Sequence, residues 1–201
     1  MKLTEKPKNF IYFQNKKIKL KPYFWNVLRC NEILSDEILN DNDKIILCLN
    51  IIVKQKIKWK NADERLKLLE EIFCFLSNGD MADGESKKVF DFEQDADYIY
   101  SAFLQIYKID LYSRKGKCLH WHQFMSLFSG LPDTTRIMQI IEIRAKPVPK
   151  ATKYNVEERQ QLMRLKAIHK LKISEAEQEK QLASGLWKMA EMLESMAEER
   201  R

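Results

Sequence analysis

Apolar residues recur along most of this chain at intervals of three and four, the spacing of helices that turn one face to a core. The exception comes first: Phe10-Ile11-Tyr12-Phe13 and Ile18-Lys19-Leu20 are short β-prone runs around Gln14-Asn15-Lys16-Lys17, which predicts a small hairpin opening the domain. Pro22 stands where a helix can begin, and Tyr23, Val27, Cys30 or Asn31, and Leu34 follow at helical spacing with Trp25 and Leu28 beside them. Asp41 or Asp43 can cap a second helix, in which Ile45, Ile46, Leu47, Leu49, Ile51, Ile52 and Val53 leave almost no polar face and predict a central position. A third helix is expected over residues 62–77, with Leu66, Leu69, Phe73 and Leu76 on one stripe and Asn78-Gly79 as its stop. Asp80 to Lys88 reads as a surface loop.

Asp91 and Asp95 precede a fourth helix whose Ala96, Ile99, Phe103 and Tyr107 share a face, and Ile109-Asp110-Leu111 ends it. Ser113 to Lys117 is a short basic turn. Trp121, Phe124, Leu127 and Phe128 mark a fifth helix stopped by Gly130-Leu131-Pro132, and Asp133 or Thr134 caps a sixth with Ile137, Ile140 and Ile141 inward. The fold class expected is therefore mainly α: a compact multi-helix domain over residues 1–144 with a small N-terminal β-hairpin. Pro147 and Pro149 make residues 145–150 a linker, and residues 151–201 form a long helical extension. Asn155-x-x-Glu158 and Ser174-x-x-Glu177 each resemble a capping box.

In that extension Leu182, Leu186, Met189, Leu193 and Met196 are spaced by four, three, four and three residues, a coiled-coil seam flanked by Glu, Lys and Arg. One apolar stripe on an outlying helix needs a partner, which is its own domain, a second copy through the same helix, or another protein. Met163, Met189, Met192 and Met196 suit a varied apolar partner, because thioethers adapt their shape.

Composition agrees with a helical fold, since glycine and proline number only five each in 201 residues. No apolar run approaches the roughly 20 residues that cross a bilayer, and Met1 to Leu20 is charged throughout, so no membrane role is expected and the protein should stay where it is made. The net charge of +6 is uneven: residues 1–60 hold 13 basic and 6 acidic groups, whereas residues 61–112 hold 5 and 12. A basic first third and an acidic middle third can neutralise one another on folding or set how copies meet. Cys30, Cys48, Cys74 and Cys118 include no CxxC pair, and buried reduced thiols are the expected reading.

No enzymatic constellation is found. The chain lacks GxGxxG, GxxxxGK[ST], HExxH and GxSxG, so neither an enzyme nor a cofactor is expected. Cys118, His120 and His122 are the one cluster of metal-ligand types, but a helix would place His120 away from the other two and a fourth ligand is missing, so no metal is expected. Asp91, Glu93, Asp95 and Asp97 alternate as in a calcium loop, yet Ala96 stands where glycine is required; carboxylates at a helix N-terminus explain them instead. The basic run Lys16 to Lys21, with Tyr12, Phe13, Tyr23, Phe24 and Trp25 around it, carries the chemistry of a nucleic-acid surface, but the acidic middle of the chain disfavours a continuous positive groove.

The segment from Asp91 to Arg144 resembles a known family. Its series begins Asp91-Phe92-Glu93-Gln94-Asp95-Ala96-Asp97-Tyr98-Ile99 and Ser101-Ala102-Phe103, then Tyr107-Lys108-Ile109-Asp110-Leu111. It continues through Leu119-His120-Trp121-His122-Gln123-Phe124, Gly130-Leu131-Pro132 and Ile140-Ile141-Glu142-Ile143-Arg144; a weaker match runs back to Asn26-Val27-Leu28-Arg29 and through the Phe73-x-Phe75-Leu76 helix, so the resemblance covers most of residues 10 to 172. This is similar to the siphophage tail assembly chaperones encoded next to the tape-measure gene. The resemblance implies a non-enzymatic phage protein of the bacterial host cytoplasm that binds the helical tape-measure protein during tail assembly and is absent from the mature virion. It implies that Asp95, Phe103, Asp110, His120, Trp121 and Phe124 are structural motif residues, leaving the tail seam as the expected partner-binding site. Lys108 departs from the pattern, which has glycine there, so the helix end is expected to lack a left-handed glycine cap. The rival expectations are a structural tail or adaptor protein of the virion and a nucleic-acid-binding protein.

Overall fold

The computed structural model describes residues 4–57, 61–77 and 88–172. The expected hairpin opens the domain: β1 (Phe10–Phe13) pairs antiparallel with β2 (Lys16–Lys19), Ile11 facing Ile18. The turn is tighter than the sequence reading had it. Gln14 and Asn15 both take positive φ, 47° and 60°, the geometry of a two-residue turn whose twist matches the strands, so β2 begins at Lys16.

Eight α-helices follow among the described residues. They are α1 (Phe24–Ser35), α2 (Asp41–Ile52), α3 (Ala62–Leu76), α4 (Ala96–Ala102), α5 (Arg114–Lys117), α6 (Trp121–Ser129), α7 (Arg136–Ala145) and α8 (Val156–Ile168). The architecture is mainly helical with one small hairpin, as expected. The chain divides after Lys146 into two units, and α1 to α7 belong to the first.

Several helix faces differ from the expected stripes. In α1 the buried face is Phe24, Val27 and Cys30, while Trp25 and Leu34 are exposed, because the hairpin and α2 pack on Val27 and Cys30 and a second core cluster packs on Phe24. In α3 the buried residues are Leu68, Leu69, Ile72 and Leu76, and Leu66 faces outward. Helix α2 is not central: Cys48, Leu49 and Ile52 are buried, Leu47 is exposed, and the rest of its apolar surface is half-covered. Its cap is Asn40, one residue before Asp41 and three before Asp43, the two expected caps; the Asn40 side chain accepts from the Asp43 N–H at 2.9 Å. Thr135, not Asp133 or Thr134, precedes α7; its hydroxyl donates to the Pro132 carbonyl at 2.8 Å. Asn155 makes no capping bond to α8, since its side chain accepts from the Thr152 N–H and donates to the Lys150 carbonyl. Helix α8 buries no residue. The cysteines also divide: Cys30 and Cys48 are buried, with each thiol 3.7 Å from the other residue's carbonyl oxygen, but Cys74 and Cys118 are exposed.

Two core clusters form in the first unit. One joins the hairpin, the inner face of α1, α2 and α3; the other joins Phe24 with α4, Leu111, α6 and α7. Trp121 packs against both. The backbone ties them as well: the Trp121 N–H donates to the Pro22 carbonyl at 2.7 Å and the Phe24 N–H to the Leu119 carbonyl at 3.0 Å. The chain thus returns at residues 119–121 to pair beside the segment that starts α1.

Candidate partner-binding surfaces

The six motif residues fall inside or along the second cluster. Asp95 ends a loop at the start of α4 and is 1% exposed. Such a carboxylate needs a full set of partners. It has them: Arg144 Nη1 and Nη2 donate to its two oxygens at 2.6 and 2.9 Å, and the Asp91 N–H donates at 3.0 Å. Arg144 Nη1 also reaches the Val89 carbonyl at 3.1 Å, so one bidentate pair ties α7, α4 and the entering loop together. The calcium-like carboxylates serve this loop too. The Asp91 side chain accepts from the N–H groups of Glu93 and Gln94 at 2.9 Å each and pairs with Lys88. Burial acts to raise the Asp91 pKa, but Lys88 and the two backbone donors outweigh it and hold the carboxyl below its ordinary value.

Helix α4 does not end as an α-helix. Phe103–Tyr107 continues it as a π-helix, and Lys108, although not glycine, supplies the left-handed cap expected to be missing, at φ 57°, ψ 28°. The buried face is therefore Ile99, Ala102 and Phe103, with Ala96 and Tyr107 half-covered. The Tyr107 hydroxyl donates to the Leu127 carbonyl at 2.8 Å near the end of α6.

His120 precedes α6 as an unusual cap. Its Nδ1 accepts from the His122 N–H at 3.2 Å, which leaves the proton on Nε2, 3.2 Å from the Lys8 carbonyl. Burial comes first among the causes that push its pKa below the ordinary value. His122 Nε2 lies 3.2 Å from the Phe75 carbonyl, so it donates there. These ring nitrogens are occupied by the fold, and among the described residues no group of three metal-ligand types gathers. Phe124 sits at the middle of an aromatic stack, parallel to Phe24 at 4.8 Å and to Phe103 at 5.0 Å, with Trp121 and Phe128 also aligned on it.

On the basic hairpin Tyr12 is the exposed ring, crossed edge-on by Phe10 at 5.7 Å. Phe13 and Phe24 are buried in different clusters, and Lys17 covers the Phe10 ring at 3.9 Å. Of the rings named around the basic run, Trp25 gathers instead with Tyr100 and Tyr112, which the sequence reading assigned to no site. Trp25 and Tyr112 are 41% and 57% exposed and meet edge-on at 6.4 Å, Tyr100 packs on Tyr112 at 5.0 Å, and Lys117 Nζ lies 4.3 Å from the Trp25 ring centre.

Asp110 builds the loop beneath this surface. Its side chain accepts from the Tyr112 N–H at 2.9 Å, and its carbonyl accepts from the Ser113 hydroxyl at 2.6 Å. Ser113 in turn caps α5 by accepting from the Gly116 N–H at 3.0 Å. A side chain on Gly116 would meet the Asp110 carbonyl oxygen at 2.1 Å, so glycine is required for this close approach. Desolvation first, then the Asp110 carboxylate, pushes the Tyr100 phenol above its ordinary pKa.

The expected seam of Leu182, Leu186, Met189, Leu193 and Met196 lies outside the described residues, as do the Asn78-Gly79 stop, most of the Asp80 to Lys88 loop, and Ser174-x-x-Glu177. No helix among the described residues is long and apolar enough to cross a membrane. A model of the bacteriophage Gp15 protein family matches residues 6–171 of the 201. No curated protein and no solved structure matches the chain significantly.

Proposed function

The chain belongs to the bacteriophage Gp15 protein family, and on that premise we propose that it is a tail assembly chaperone, which binds the helical tape-measure protein and keeps it from aggregating until the tail is built. The observation that carries this reading is the ordered motif series from Asp91 to Arg144. Its residues supply the Asp95–Arg144 pair and most of the second core cluster, so the resemblance extends to groups on which this fold depends. Physical chemistry supplies the reason for a partner. A lone tape-measure helix exposes an apolar stripe, and covering it stabilises by about 25 cal/mol per Å² of apolar surface. Many copies along one client then act as a coat. Binding of this kind involves no bond-making chemistry, cofactor or metal. Its place is the host cytoplasm during assembly, with the protein absent from finished particles.

Co-expression with the neighbouring tape-measure protein tests the reading, scored as co-purification of client that would otherwise precipitate. Leu186→Asp together with Leu193→Asp tests the seam as the client site. Capture that this pair abolishes supports both. Stoichiometric presence of the chain in purified virions would overturn the chaperone reading in favour of a structural tail or adaptor protein.

A further inference from the structure

We propose that the surface made by Trp25, Tyr100, Tyr112 and Lys117, with Arg114 and Lys115 beside it, docks an acidic segment of the client polypeptide. An apolar client side chain would seat on the rings, and its neighbouring carboxylates would meet the basic turn. The inference rests on the chaperone reading and assigns a contact surface to the helical domain itself.

Three features single out this surface. Large aromatic rings are the groups that most often dominate protein contacts, and here two lie open to solvent side by side. They are continuous with the interior, because Trp25 packs edge-on against Phe24 at 6.4 Å and Phe24 stacks on Phe124. The loop that carries Tyr112 is fixed in advance by the Asp110 and Ser113 hydrogen bonds and the tight Gly116 contact, so little conformational freedom is left to lose on binding.

Charge selects the occupant. Arg114, Lys115 and Lys117 occupy one helical turn, and none of them takes part in an ion pair among the described residues. The Asp110 carboxylate on the same loop is already engaged by the Tyr112 N–H and the Tyr100 phenol. A partner with carboxylates near its apolar anchor complements that excess of positive charge. Nucleic acid fits less well. Bases stack on free ring faces, whereas the Trp25 face is covered by Lys117 and the Trp25–Tyr112 pair is crossed at 75°.

The test uses the full chain co-expressed with tiled fragments of the tape-measure protein. Two variants are compared with the unmodified chain: Trp25→Ala with Tyr112→Ala, and Arg114→Glu with Lys117→Glu. Trp25, Tyr112 and Arg114 are exposed and Lys117 is half-buried, so melting temperatures should hold; should the aromatic variant fail to fold, the charge variant decides. Capture of at least one net-acidic fragment is expected, weakened by added salt and reduced about 30-fold in either variant, the loss of a contact hot spot. Undiminished capture in both variants, or dependence confined to basic fragments, overturns this surface and leaves the chaperone reading standing. No capture of any fragment by the unmodified chain overturns the chaperone reading and this inference with it. Co-purifying nucleic acid that the variants lose would overturn the assignment to a protein partner.

Discussion

Asp95 and Arg144, 49 positions apart, meet as a buried two-pronged ion pair at 2.6 and 2.9 Å. Removing one partner strands the other's charge away from water, which typically costs about 3–5 kcal/mol. Asp95→Leu and Arg144→Met are each expected to destabilise by about that amount in urea unfolding. The double variant, in which neither charge remains, should be less destabilised than either single one. Equal or additive losses would show that the pair's charges are not what couples α4 to α7.

Lys108 holds a left-handed backbone at φ 57°, a conformation that costs a residue with a Cβ about 1–2 kcal/mol and glycine little. Lys108→Gly should therefore stabilise by about 1 kcal/mol, and Lys108→Val should destabilise. Both are read from denaturation midpoints. A neutral or destabilising glycine would mean that the side chain, not the backbone, fixes the end of the π-helix.

Gly116 leaves no room for a methyl group against the Asp110 carbonyl. Gly116→Ala should cost about 1–3 kcal/mol by forced displacement of the loop. It should also alter the fluorescence of Trp25, whose neighbours Tyr112 and Lys117 flank that loop, read as the difference from the same change made in a Trp25→Phe background. An unchanged Trp25 signal would separate the loop from the aromatic surface.

His120 is buried and its pKa is lowered from the ordinary 6.5, so protons bind the unfolded chain more readily than the folded one. The stability contributed by the neutral ring is complete above pH 6.5 and is lost as pH falls below that value. His120→Asn keeps a capping acceptor but cannot titrate, and it should reduce the slope of stability against pH between about 7 and about 5. Identical slopes in both proteins would assign acid sensitivity to other groups.

Cys74 and Cys118 are exposed, whereas Cys30 and Cys48 face one another inside the first cluster. Contact with Cys48, together with burial, raises the Cys30 thiol well above its ordinary pKa, which suppresses the reactive thiolate. Mass-mapped alkylation of the folded protein should modify Cys74 and Cys118 first and spare Cys30 until unfolding. Early modification of Cys30 would sink this account.

Local signals in the sequence carried most of the element positions. Apolar spacing located the helices, and the alternation around Gln14-Asn15 located the hairpin. Which face of each helix is buried was less legible, because it depends on where the neighbours stand: Phe24 replaces Tyr23 in α1 and Leu68 replaces Leu66 in α3 once the hairpin, α2 and the second cluster are in place. Caps shifted by a residue, as they do when several Asp, Asn or Thr side chains compete. The Asp95–Arg144 pair and the Trp25–Tyr112 surface were hidden for a different reason. Each joins residues from distant segments, and nothing in the spacing of either segment encodes the meeting. Lys108 misled in another way: lysine in place of the motif's glycine suggested a helix end without a left-handed cap, yet the lysine itself takes that conformation.

The return of residues 119–121 beside residues 22–24 has a further consequence during synthesis. The Pro22 carbonyl and the Phe24 amide wait for partners that leave the ribosome about a hundred residues later, several seconds at ordinary rates of elongation. Until then the start of α1 lacks its neighbour, and Trp121 is missing from both clusters. A product truncated before this point would lack those bonds and the Trp121 packing, and is expected to be cut by proteases faster than the full chain.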